Sequence, residues 1–190
     1  AGAGMHHRSM ESTAAALAEP GIATLRFQFP YMEAGTRRPD VPAVCHATVR
    51  AAVQEAARRC PGLPLFAGGR SFGGRMTSQA QAGSPLPEVR GLVFFAFPLH
   101  PAGRPSESRA DHLQNVTIPM LFLQGTRDEL AELNLLQKVV DQLGRRATLE
   151  LMQEADHSFH VPARSGRNDA QVIHELAETL SRWIDTVGPA

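Results

Sequence analysis

Five short runs of β-forming apolar residues, separated by stretches with helical spacing, restrict this chain to few folds. "IATLRFQF" (22–29), "LPLFAGG" (63–69), "GLVFFAF" (91–97), "PMLFLQG" (119–125) and "ATLELMQ" (147–153) read as strands. The middle runs are almost continuously apolar, the pattern of strands buried on both faces. Elsewhere apolar residues recur every three or four positions. Val49, Val53, Ala57 and Cys60 form one stripe in a helix over 41–60. Leu133, Leu136, Val140 and Leu143 form another over 131–143, and Val172, Leu176, Leu180, Trp183 and Val187 a third over 169–187. This alternation predicts an α/β fold, with a mostly parallel sheet covered by helices on both faces.

A chain of 190 residues can bury a real core, and we expect one domain over 1–190. Nineteen basic residues balance nineteen acidic ones, so the formal net charge is zero. That argues against nucleic acid or an anionic membrane as a partner held by bulk electrostatics. No apolar run reaches the roughly 18 residues of a membrane span. Cys45 and Cys60 fall in one expected helix, too far apart to bridge, and read as apolar filler. Cysteine usage this sparse suits a reducing, cytoplasmic setting. His6-His7 reads as solvated loop. No His/Cys spacing suggests zinc, and neither metal nor organic cofactor is expected.

The chemistry concentrates in "FAGGRSFGGRM" (66–76), where Gly69-Arg70-Ser71-Phe72-Gly73 fits G-x-S-x-G. The bare pattern is weak, but here it follows a strand and opens a helix, the context of a nucleophile elbow. A Ser on so tight a turn projects its Oγ above the sheet, and side chains two positions away on either side would collide with the turn. That accounts for Gly69 and Gly73. The Phe72 N–H, at the start of the helix, is a candidate oxyanion donor. A phosphate loop would need a Gly-Lys-Ser/Thr, and a dinucleotide fingerprint G-x-G-x-x-G; neither is present.

A serine needs a base, and the base an orienting acid. Asp128 in "LFLQGTRDEL" and His157 in "MQEADHSFH" each lie just past the end of a later strand, in the order Ser, Asp, His. Open α/β sheets bind ligands at that end. The rivals are local: Asp128 as a helix cap, Glu129 as a substitute acid, His160 as a substitute base and Asp156 as a turn acceptor. The opening "AGAG" reads as the tail of a Gly-rich loop, with backbone N–H groups near Ala1, Gly2 or Ala3 as second oxyanion donors.

The segments "AGAGM", "LRFQFPYME", "GGRSFGGRMTSQAQA", "FAFPLHPAGRP", "PMLFLQGTRDEL" and "DHSFHVPARSG" resemble small α/β-hydrolases of the dienelactone-hydrolase-like group. More closely, they are similar to a branch of predicted hydrolases related to a subunit of the NSL chromatin-acetylation complex. The resemblance implies Ser71, Asp128 and His157 as nucleophile, acid and base. Dienelactone hydrolases proper use a cysteine nucleophile, so their lactone substrate does not carry over. That fold has eight strands in the order 1-2-4-3-5-6-7-8, against five expected here. The run 22–29 would correspond to the fourth and 63–69 to the fifth, with the third missing between them. Either the chain is an N-terminally truncated piece, the reading we favour, or the two runs pair directly in a rearranged sheet.

Around this centre, Arg70 and Arg75 flank the nucleophile, where they could attract an anionic acyl or leaving group or equally form helix-surface salt bridges. Phe29, Pro30 and Tyr31 could form an apolar wall; the irregular stretch 98–112 reads mostly as solvated loop, or as a second wall with His100 and Arg104 near its opening. The expected function is a serine hydrolase, of carboxylesterase or thioesterase type, acting on a small-molecule ester or thioester. The alternative is a catalytically inactive interaction module on the same fold.

Overall fold

Each of the last four apolar runs finds a partner in one parallel sheet. The computed structural model describes residues 4–187. The strands are β1 (Leu65–Arg70), β2 (Val89–Phe95), β3 (Met120–Gly125) and β4 (Ala147–Met152). They lie side by side in chain order, every neighbouring pair parallel. Helices α1 (Arg8–Ala18), α2 (Pro30–Glu33), α3 (Pro42–Arg59), α4 (Phe72–Gly83), α5 (Leu133–Leu143) and α6 (Asp169–Val187) complete the fold, with a 3₁₀ helix at Ser108–Asn115. The three expected helices form with bounds close to those read from their stripes. The chain can reverse direction between parallel strands only through such crossovers.

The apolar continuity of β2 and β3 is explained by what covers them. Along a strand, successive side chains point to opposite faces. Leu92, Phe94, Met120 and Phe122 meet Cys45, Val49 and Val53 of α3, Met76 and Ala80 of α4, and Leu136 and Val140 of α5. Val93, Leu121 and Leu123 point the other way, onto Leu17 of α1 and Val172, Leu176, Leu180 and Trp183 of α6. Phe94 and Phe122, 4.8 Å between centroids, anchor the first core. Each such side chain contributes about 1.5–3 kcal/mol on burial. Cys45 is buried filler as expected, but Cys60 caps the end of α3 in solvent.

The run 22–29 is not a strand. It is extended, with no ladder partner among the described residues, and β1 forms the edge of the sheet. The direct pairing of these two runs, one of the two expected outcomes, does not occur. A strand exists only where a second backbone lies about 4.8 Å away, and among the described residues none pairs with 22–29. Side chains hold it instead. Arg26 donates to the Met5 carbonyl at 2.9 Å, and Gln28 Oε1 accepts from the Met5 N–H at 3.2 Å. Phe27, Phe29 and Tyr31 form an aromatic ladder at its end. Leu25 stays more than a third exposed, and all six residues of β1 are only half-buried.

Candidate active site

Ser71 sits between β1 and α4 with φ 51° and ψ −118°. A non-glycine residue held there stores about 1–3 kcal/mol of strain. Its N–H donates to the Phe95 carbonyl at 3.0 Å, which ties the turn to β2. As the N-cap of α4 its hydroxyl makes no capping bond, although serine is among the best capping residues. The hydroxyl points to His157 Nε2, 2.8 Å away.

The glycines around the turn divide differently from expectation. A Cβ on Gly69 would lie 2.8 Å from the Gly73 carbonyl carbon, and a Cβ on Gly74 2.7 Å from the Gly69 carbonyl oxygen. A Cβ on Gly73 meets nothing within 4 Å. The close approach is between β1 and the backbone of α4 at Gly74, so the steric need falls on Gly69 and Gly74, not Gly73.

The loops after β3 and β4 are stitched together. The Thr126 N–H donates to the Met152 carbonyl at 3.1 Å, and the Arg127 N–H to the Ala155 carbonyl at 2.8 Å. Thr126 Oγ1 accepts from the Glu154 N–H at 2.9 Å. Gly125 permits this approach, because a Cβ there would stand 2.4 Å from the Ala155 carbonyl oxygen. Held this way, Asp128 Oδ2 lies 2.7 Å from His157 Nδ1. The Asp128 carboxylate is fully shielded from solvent, while the His157 side chain keeps 24% of its exposure. Ser71, His157 and Asp128 thus form one continuous hydrogen-bonded chain.

A residue that the sequence reading passed over completes it. Gln124, fully buried in β3, accepts from the Phe97 N–H with Oε1 at 2.9 Å. Its amide nitrogen must then face the other way, where it donates to Asp128 Oδ2. The Leu130 N–H serves Asp128 Oδ1 at 2.8 Å. Its signal in the sequence was a lone amide inside the apolar run "MLFLQG". Buried polar groups of this kind need partners.

The local rivals are occupied elsewhere. Asp128 does not cap α5, whose N-cap is Glu132. Glu129 is exposed. Asp156 accepts from the Ser158 and His160 N–H groups inside its own turn. His160 is exposed and pairs with Asp169 at 3.0 Å, a hydrogen bond that holds its imidazole above the ordinary value. A second Ser–His contact, Ser78 to His112 at 2.7 Å, lies within the packing of α4 on the 3₁₀ helix. Ser78 is fully buried and already donates to the Arg75 carbonyl, so it offers no accessible nucleophile.

The expected pocket residues scatter. Tyr31 is buried, with its ring edge-on to Phe72 at 6.4 Å, and it lines a cavity of about 480 Å³ with Gly4, Gln28, Met32, Thr36 and Arg37. His100 is not at an opening. It is 1% exposed, accepts from the Glu132 N–H with Nε2 and faces the Pro101 carbonyl with Nδ1, and so splints the loop after β2 to the start of α5. Arg104 lies in an exposed turn. Arg70 turns to the loop after β4: it donates to the His157 carbonyl at 3.4 Å and stacks 5.9 Å from the Phe159 ring. Burial lowers its guanidinium from the ordinary value, opposed by Asp156 and Asp128. The Phe72 N–H has no backbone acceptor among the described residues, as the first turn of a helix requires. Ala1, Gly2 and Ala3 lie outside the described residues.

Comparison with known proteins agrees with this architecture. The chain is similar to an alpha-beta serine hydrolase homologue from Coxiella burnetii, at 24% identity and a TM-score of 0.70, over 94% of this chain and 77% of that one. It is similar to XC6422 from Xanthomonas campestris, described as an a/b serine hydrolase without lid, at 27% identity and a TM-score of 0.70, over 96% and 76% of the two chains. A dienelactone hydrolase from Anabaena variabilis shares the fold at 19% identity and a TM-score of 0.74, over 97% and 81%. The alpha/beta hydrolase domain family matches residues 1–185, a stretch that contains the whole sheet and all three hydrogen-bonded side chains. This chain belongs to that family.

Proposed function

We propose that the protein is a serine hydrolase that cleaves carboxylic esters or thioesters through an acyl-enzyme. The observation that carries this is the unbroken chain from Ser71 Oγ through His157 to Asp128, at 2.8 and 2.7 Å. His157 Nε2 takes the Ser71 proton as Oγ attacks the acyl carbonyl. The Phe72 N–H stabilises the resulting oxyanion. Collapse expels the alcohol or thiol, which leaves with the proton from His157. Water, deprotonated by the same nitrogen, then attacks the acyl-enzyme and releases the acid and free Ser71. Asp128 holds the Nδ1 tautomer and stabilises the imidazolium. The assignment to the NSL-related branch of dienelactone-hydrolase-like proteins remains part of this reading, carried by the segments that resemble it.

A fluorophosphonate probe tests the proposal. Wild-type protein is expected to be labelled and Ser71→Ala not. Absence of labelling in folded wild type would overturn the proposal and favour the interaction-module reading; equal labelling of both would overturn Ser71 as the nucleophile.

Gln124 is a positioning residue in this scheme. Gln124→Met removes the donor to Asp128 and leaves the Phe97 N–H without its acceptor. The expected result is a loss of about 1–3 kcal/mol in denaturant unfolding and a fall in kcat of about tenfold at little-changed KM. A merely structural role would move stability and leave kcat intact.

A further inference from the structure

Arg75 begins one turn after Ser71, and its N–H donates to the Ser71 carbonyl at 3.2 Å. Its guanidinium lies 5.8 Å from the ring of Phe72, the residue next to the nucleophile. Its Nε is buried without a hydrogen-bond partner among the described residues, and no ion pair there involves Arg75. A buried charge-bearing donor left this way costs free energy unless something fills the gap.

What surrounds it makes the gap more specific. The Ser108–Asn115 helix packs against α4 and brings Arg109 towards Arg75. Burial lowers the Arg75 guanidinium from its ordinary value, and Arg109 lowers it further. No carboxylate acts in the opposite sense. Arg109 has one weak contact, to the Pro98 carbonyl at 3.5 Å. His112, held down to about 4 by burial first and by Arg75 next, stays neutral near pH 7 and adds no further positive charge. Asp111 acts on His112 but forms no ion pair with either arginine among the described residues. Arg70, by contrast, is committed to the His157 loop.

Two guanidinium groups without an acidic partner among the described residues, one of them partly desolvated beside the elbow, are arranged for an oxyanion. The planar fork of arginine matches a carboxylate in bidentate fashion. We propose that Arg75, with Arg109 beside it, receives a carboxylate carried by the ester substrate away from the scissile bond. The substrate class is then acid-bearing esters, such as half-esters of dicarboxylic acids. This rests on the reading of Ser71 as nucleophile, and the test separates the two.

In the binding arm, Ser71→Ala protein is titrated with monomethyl adipate and with dimethyl adipate, followed by ligand-observed NMR. The mono-acid is expected to bind at least about tenfold more tightly, the scale of one charge-assisted pair. That ratio is expected to fall towards one when Arg75→Met or Arg109→Met is added, and to recover only in part with Arg75→Lys. Equal binding of the two esters, or a preference that survives both Met variants, overturns the proposal. Thermal unfolding of each variant excludes misfolding as the cause, and either Met variant suffices if the other does not fold. In the turnover arm, wild type is given 4-nitrophenyl hydrogen adipate and 4-nitrophenyl hexanoate. Cleavage of both at equal kcat/KM refutes the anion site and leaves the hydrolase standing. Cleavage of neither, with the binding preference intact, supports the anion site and removes the hydrolase.

Discussion

His157→Ala is expected to lower kcat/KM for 4-nitrophenyl acetate by at least about 10⁴-fold, while His160→Ala keeps most of the activity. The two histidines are three residues apart and chemically identical, so the contrast isolates geometry. His157 Nε2 stands 2.8 Å from Ser71 Oγ, with its other nitrogen on a buried carboxylate. His160 is exposed and bonded to Asp169 at the start of α6. Without His157 the Ser71 proton has no acceptor, and the hydroxyl is a weak nucleophile at neutral pH. A 10⁴-fold loss corresponds to about 5.5 kcal/mol of transition-state stabilisation. Steady-state kinetics on both variants check it. A larger loss in His160→Ala than in His157→Ala would refute His157 as the base.

Gly125→Ala is expected to lower turnover by about 100-fold and to cost about 1–3 kcal/mol of stability. The added methyl would stand 2.4 Å from the Ala155 carbonyl oxygen and 2.7 Å from that of Asp156. Both are backbone atoms, so relief requires the base loop to move as a body. That loop carries His157, and Asp128 lies three residues beyond the substituted glycine. A displacement of about 1 Å between reacting groups costs on the order of 10² in rate. Gly73→Ala supplies the contrast, because its Cβ enters open space. It is expected to leave stability unchanged or raise it by up to about 1 kcal/mol through helix propensity. Kinetics and denaturant unfolding of the two variants decide the matter. Wild-type behaviour in Gly125→Ala would mean that the loops are not rigidly joined.

Most of the sheet was readable because its signals are local. Near-continuous apolar runs mark strands covered on both faces, and β2 and β3 are such strands. The stripe from Val172 to Val187 lies on α6 with the bounds that its spacing implies. The expectation failed at 22–29, where the run has the composition of a strand and no neighbour to pair with. Apolar content reports burial, whereas a ladder is a relation between two segments and leaves no trace in one of them. The same limit hid Gln124, whose importance lies in the simultaneous demands of the Phe97 N–H and Asp128. It also misplaced His100, which looked like a pocket histidine and is a buried splint.

By itself, the sequence determined the alternation of strand and helix, the tight turn at Ser71, and the order in which Ser71, Asp128 and His157 follow their strands. Each of these is written in residues adjacent along the chain, through side-chain period and backbone freedom. Only the tertiary structure decided that Gly74 rather than Gly73 bears the steric constraint of the turn. It alone separated Arg70, spent on the His157 loop, from Arg75, whose Nε is left without a hydrogen-bond partner among the described residues. Those distinctions depend on which atoms of distant segments come within a few ångströms, and packing sets such distances only once the whole chain has folded.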